Sequence, residues 1–206
     1  MRRLAILGAS GHGRVVAESA IAAGWEEVLF FDDAWPSEQT VGRVALTGDT
    51  HALFADASLF DGVVVAIGSN DVRLEKLNAL QQRGAVMASI VHPAAIISPS
   101  AHLGVGSVVM AGAIVNADAV IGPGAILNTA CSVDHDCMLG QGVHISPGAR
   151  LAGSVEVGDR TWVGIGAVVR QGIHLGADVI VGAGSVVVKD VAAGQTVLGV
   201  SAKPRA

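Results

Sequence analysis

From Ile97 onward the apolar positions recur every six residues. Leu103, Val109, Val115, Ile121, Leu127, Val133, Leu139, Ile145, Leu151, Val157, Val163, Val169, Leu175, Val181 and Val187 share one phase. The position two before is small or β-branched (Ala101, Ser107, Ala113, Ala119, Ala125, Cys131), and the position three after is rich in turn formers (Gly106, Gly112, Asp118, Gly124, Asp136). A period of six is neither helical nor a simple strand alternation. It predicts a short strand and a tight turn, repeated, with one aliphatic always inward. Three such units close a triangular coil, and the phase runs to about residue 190 without an insertion. This is a parallel β-helix.

The N-terminal part follows a different rhythm. Leu4-Ala5-Ile6-Leu7 reads as a buried strand and Gly8-Ala9-Ser10-Gly11-His12-Gly13 as a glycine-rich turn. Helical spacing from Val15 to Ala23 stops at Gly24. Further strands are predicted over 28–33, 63–68 and 86–91, with a helix over 70–83. Alternating strands and helices, with near-continuous apolar strands, indicate a small parallel α/β sheet of Rossmann-like type. The pattern changes at His92-Pro93, which gives expected domains of 1–91 and 92–206.

Composition agrees with a wall of tight turns. Gly makes up 27 of 206 residues and charged residues 15%, where an average chain has about 7% and about 25%. A net charge of −5 supplies no basic face for nucleic acid. No apolar run approaches the roughly 18 residues of a membrane span. Neither nucleic acid nor a membrane is an expected partner. The apolar run at 4–7 is too short for a signal peptide, so the expected location is cytoplasmic. Cys131 and Cys137 are then thiols in the small column of the hexad.

Two sets of residues carry candidate chemistry. Backbone amides of the glycine-rich turn, at the start of a helix, can hold a diphosphate. Asp32 and Asp33 follow at the distance where a ribose hydroxyl is met. The alternative is a tight turn with no ligand. The missing second half of a dinucleotide fold points to a nucleotide or nucleotide-sugar rather than a hydride carrier. In the β-helix, Asn128, Asp134-His135-Asp136 and His144 form a polar cluster among aliphatics and glycines. Asp136 can hold the His135 imidazole in one tautomer, as a base and its orienting acid require. Gly153 falls one coil above His135, where its N–H could stabilise an oxyanion. A solvated turn and a metal site are the alternatives. His135 and His144 lack the close spacing of common histidine ligand pairs, so no metal is expected.

The hexad wall resembles the left-handed parallel β-helix acyltransferases. Together with Gly8-Ala9-Ser10-Gly11-His12-Gly13, Phe31-Asp32-Asp33, Ile67-Gly68-Ser69-Asn70-Asp71-Val72-Arg73, His92-Pro93 and Asp134-His135-Asp136-Cys137, it is similar to the bacterial nucleotide-sugar N-acetyltransferases of the UDP-N-acetylbacillosamine type. Sialic acid O-acetyltransferase-like and perosamine N-acetyltransferase proteins belong to that group. The resemblance spans essentially the whole chain, including the tail 199–204, where Ser201 stands in place of the usual Pro.

The resemblance implies a homotrimer with active sites between neighbouring left-handed β-helices. It implies a nucleotide-linked amino sugar held through Ser10, Gly11, His12, Asp32, Asp33 and Gly68, with Asn128 placed beside the sugar. Acetyl-CoA, the expected co-substrate, would meet His144, Ile165 and Ala183, the last often Gly in the family. His135 corresponds to the general base and Asp136, often Glu, to the acid that raises its basicity. The expected reaction is direct acetyl transfer to the sugar amine at C4 of an amino-dideoxy sugar, serving polysaccharide biosynthesis. Other readings are a sugar O-acetyltransferase of the sialic acid type, a metal-dependent β-helix enzyme of the carbonic anhydrase kind, and a non-catalytic nucleotide-sugar-binding scaffold.

Overall fold

The computed structural model describes residues 2–200 and the backbone of 203–204. Ser201, the tail residue that stands where the resemblance has Pro, lies outside the described residues. The chain divides into two compact units, residues 1–93 and 94 onward.

In the first unit, β1 (Arg3–Leu7) is buried along nearly its whole length and lies between β2 (Glu27–Phe31) and β5 (Gly62–Val65), parallel to both. Helix α1 (Gly11–Ala22) buries Gly13, Val16, Ala17 and Ala20, the spacing of a one-sided helix. It ends where Gly24 takes φ +89°, a conformation open to glycine. Beyond β2 the chain forms a hairpin, β3 (Thr40–Val41) and β4 (Val44–Gly48), then α2 (Thr50–Asp56). Asp49 caps α2 by accepting the Ala52 N–H at 2.7 Å. The sheet order is β3-β4-β2-β1-β5. Helix α3 (Asn70–Gln82) buries Leu74, Leu77 and Leu80, and the last two join Leu7, Phe31, Leu53, Phe60 and Val65 in one core cluster.

Several boundaries are shorter than the apolar runs suggest. β2 stops at Phe31 because Asp32 turns to accept backbone N–H groups, and β5 stops at Val65. The run over 86–91 splits into a bridge from Met87 to Val63 and a two-residue strand, Ile90–Val91.

The second unit is a β-helix of two-residue strands. Strands of the regular coils pair in parallel with the strand one coil on, as in Ile114↔Ser132↔Arg150↔Val168 and Ile126↔His144↔Trp162↔Ile180, while the tail pair Thr196–Leu198 and Lys203–Pro204 runs antiparallel. The inward aliphatics are buried from Val109 to Val187, while Ile97 and Leu103, in the first coil, are only partly covered. The small column is buried from Ser107 onward. Its hydroxyls are satisfied within the wall: Thr161 Oγ1 donates to Gly176 O at 2.7 Å and Ser107 Oγ to Gly122 O at 3.1 Å. At the corners Asp118, Ala130, Asp136, Ser154 and Gly148 all take φ near +60°. No helix among the described residues is long and apolar enough to cross a membrane.

Candidate active site

Three loops meet at the carboxyl ends of β1, β2 and β5. Gly8 and Gly13 allow the approach: a Cβ on Gly13 would lie 2.1 Å from Gly8 O, and one on Gly8 2.9 Å from Ala66 O. Asp32 ties the glycine-rich turn to β2, accepting Ala9 N–H at 2.8 Å through Oδ2 and Ala34 N–H at 3.0 Å through Oδ1. Asp33 faces α2 and accepts Thr50 N–H at 3.0 Å, a bond that holds its carboxyl below the usual range. Both acids therefore brace the loops, with only their remaining lone pairs open to a ligand.

Arg73, at the end of the Ile67–Arg73 motif, carries no signal of its role in the sequence. It is 1% exposed and donates to Ile67 O at 2.9 Å, Gly68 O at 3.1 Å and Asn70 Oδ1 at 2.8 Å, which sets the Gly68 loop. Burial lowers its pKa to about 10, so it stays charged at neutral pH. Burial, and then the Arg73 charge, push His12 down to about 4. A neutral His12 therefore opens α1 beside Ser10 and Gly11, its Nε2 buried with no hydrogen-bond partner among the described residues. Ser10 makes no side-chain cap to α1. Replacing Arg73 with Met removes the donor to three acceptors, at about 1–3 kcal/mol for each one left buried and unmet. A loss of about 3 kcal/mol or more in unfolding free energy is expected from urea denaturation. A loss below about 1 kcal/mol would show that the loop is held by other contacts.

In the β-helix, His135 stands on the corner after strand Ser132–Val133. Its Nδ1 lies 2.7 Å from Asp136 Oδ2. That hydrogen bond, helped by the negative charges of Asp134 and Asp136, raises the His135 pKa above the ordinary value. Asp136 accepts from Nδ1–H, which leaves Nε2 with its lone pair. Gly153 lies directly over the ring: a Cβ there would sit 2.5 Å from His135 Cε1 and Nε2. The Gly153 N–H meets no protein acceptor among the described residues.

His144, Ile165 and Ala183 line one groove of about 500 Å³, almost wholly apolar, with Ser146, Trp162 and Ile180. His144 is buried and stacks on Trp162, ring centroids 4.9 Å apart. Trp162 Nε1 donates to Ser146 Oγ at 2.7 Å, fixing the indole as a wall. Asn128 accepts Thr129 N–H at 2.8 Å through Oδ1, so its Nδ2 is the donor towards His144 Nε2 at 3.2 Å. The His144 proton is therefore on Nδ1. Trp162 and Ser146 were legible in principle: Trp162 follows His144 by one coil.

The structure thus joins His135, Asp136 and Gly153 at one corner, and Asn128, His144, Ile165 and Ala183 at another. A whole face of the prism separates the two sets. Cys131 and Cys137 are buried and burial raises both thiol pKa values, Cys131 to about 12. Among the described residues no three His, Cys, Asp or Glu side chains are grouped to hold a metal ion.

Residues 3–80 match the PglD N-terminal domain family and residues 154–189 the bacterial transferase hexapeptide family. The acetyltransferase domain of PglB from Neisseria gonorrhoeae, solved with acetyl coenzyme A, is 43% identical, with a TM-score of 0.96 and 99% of both chains covered. PerB from Caulobacter crescentus, solved with CoA and GDP-perosamine, is 41% identical, with a TM-score of 0.94 over 100% of this chain and 98% of that one. A UDP-N-acetylbacillosamine N-acetyltransferase of Bacillus subtilis is 37% identical over 110 residues, and the match spans about half of that relative.

Proposed function

The chain belongs to the family of acetyltransferases that join a PglD-type N-terminal domain to a hexapeptide β-helix, and from that premise we propose that it moves acetyl from acetyl-CoA to the amine of a nucleotide-linked amino-dideoxy sugar, at C4. The observation that carries this reading is the His135 imidazole, tied to Asp136 through Nδ1 and lying against Gly153.

The sugar nitrogen attacks the thioester carbonyl in a complex of both substrates. As the C–N bond forms, His135 Nε2 accepts the proton that the nitrogen sheds. The Gly153 N–H is available to the developing oxyanion. When the C–S bond breaks, the CoA sulfur leaves with the electron pair and receives the proton from His135. Holding the two reactants together can be worth roughly 7–11 kcal/mol, and base action about 10²–10⁴-fold. The buried, protonated thiols of Cys131 and Cys137 are poor nucleophiles, which favours direct transfer over an acyl-enzyme.

The apolar groove at His144, Ile165 and Ala183 suits a pantetheine arm, with Asn128 near the sugar. Ser10, Gly11, His12 and Gly68, with Asp32 and Asp33, are the residues to hold the nucleotide, in loops that Asp32 braces at Ala9 and Arg73 braces at Gly68. Because the base and the groove lie on separate corners of one prism, a homotrimer that sets His135 of one copy against the groove of the next would complete the site. Cytoplasmic action in polysaccharide biosynthesis fits acetyl-CoA and an activated sugar.

Filling the groove with Ala183→Trp is expected to weaken CoA binding at least tenfold by calorimetry and leave nucleotide-sugar binding unchanged. Unaltered CoA affinity would place the cofactor elsewhere. For the reaction itself, the product from acetyl-CoA and a 4-amino-dideoxy nucleotide-sugar should gain one acetyl group that hydroxylamine does not remove. Release by hydroxylamine would mark an ester and an O-acetyltransferase.

A further inference from the structure

We propose that Asn116 and Asp134 form a brace that positions the catalytic imidazole, Asp134 fixing the backbone from which His135 projects and Asn116 anchoring Asp134 to the coil below. This deepens the reading of His135 as the base and rests on it.

At two corners the first residue of the turn, Thr129 and His135, has an N–H that no ladder carbonyl meets. At Thr129 the acceptor is Asn128 Oδ1, at 2.8 Å. At His135 it is Asp134 Oδ1, at 2.9 Å. The same Asp134 oxygen accepts from Asn116 Nδ2 at 2.9 Å, across one coil. Above Asp134 stands Ala152, which has no polar side-chain atom to compete for the carboxylate. The corner is otherwise held by three ladder bonds, Asp134 N to Leu151 O, Asp136 N to Ala117 O and Ser154 N to His135 O. The last of these reaches the His135 carbonyl but leaves its N–H to Asp134, and the side chain, 59% exposed, gains little from packing. Its direction therefore depends on Asp136 from one side and, from the other, on a backbone held by Asp134 at the His135 N–H and by Ser154 at the His135 carbonyl.

The brace also keeps a charge near the ring. The His135 N–H and the Asn116 amide hold Asp134 ionised below the usual carboxylate range. The other groups on this corner are Asp136, bonded to Nδ1, and Asp118, one coil below Asp136. Gly153 and Ser154 lie above, with Arg170 and Lys189 two and three coils up.

Three variants separate geometry from charge. Asp134→Ala and Asn116→Ala remove the anchor, and a small displacement of a base can cost up to about 10²-fold. A fall in kcat of at least about tenfold is expected for Asp134→Ala, and a smaller one for Asn116→Ala, with KM for both substrates within twofold. Asp134→Asn keeps an oxygen for both N–H donors. It should retain kcat within about threefold at its optimum, while the acid limb of its pH profile moves to lower pH. An NMR titration of the His135 ring, which needs no substrate, should show the same downward move. Parental kcat in Asp134→Ala would overturn the brace, as would equal losses in Asp134→Ala and Asp134→Asn, or a loss matched by less folded protein in circular dichroism. Full turnover in His135→Ala would instead overturn the reading of the base.

Discussion

His135→Ala is expected to lose about 10²–10⁴-fold in kcat, the range that positioned base catalysis supplies, with the fold and oligomeric state unchanged. The separation is expected because the imidazole is solvent-exposed and fills no cavity; its one side-chain hydrogen bond is to the equally exposed Asp136. Circular dichroism and sedimentation should match the parent. The pH profile carries the sign of the mechanism. A base must be neutral, so kcat/KM should fall as pH drops through the His135 pKa. Because the Asp136 hydrogen bond raises that pKa, the fall should begin above the ordinary histidine value of about 6.5. Asp136→Asn removes the strongest support for the charged ring, so its limb should lie at lower pH and its plateau should be lower. A parental rate in His135→Ala would reject the base assignment.

Gly153→Ala should cost about 10²-fold in kcat through one methyl group. The added Cβ would sit 2.5 Å from two ring atoms of His135, nearer than real contacts allow, so the ring must move. Gly153 has no positive φ, so alanine suits its backbone and should stabilise rather than strain the coil. The ring is the free end of an exposed side chain and can swing away at little cost to folding. Lost activity with Tm within a few degrees of the parent is therefore the expected pair of results. Parental kcat would show that the imidazole need not lie against Gly153, and a large fall in Tm would show that the coil, not the ring, absorbs the clash.

The β-helix was legible because each inward aliphatic repeats the same local instruction: Val133 and Leu151 occupy one column and pair directly. The stacking of Gly153 over His135 followed from the same arithmetic. The segment between Asp33 and Asp61 was not legible. β3 has two residues and α2 seven, too few for either periodicity to show. Asp32 and Asp33 were readable as acids after a strand, but their use as loop braces depends on where Ala9, Ala34 and Thr50 turn their N–H groups. Arg73 was readable only as the end of the Ile67–Arg73 motif, and its role in holding the Gly68 loop shows only in its burial against Ile67 and Gly68. The separation of His135 from the His144 groove needed the assignment of each hexad to a face, since nine residues in sequence carry the chain across a corner and a whole side.

Acetyl transfer to a nucleotide-linked amino sugar is read out by thiol release from acetyl-CoA across UDP- and GDP-linked 4-amino-4,6-dideoxy sugars and CMP-sialic acid. The expected result is rapid release with one amino sugar, one acetyl gained in its mass, and almost none in His135→Ala. No release with any amino sugar, together with no binding of CoA, would contradict it.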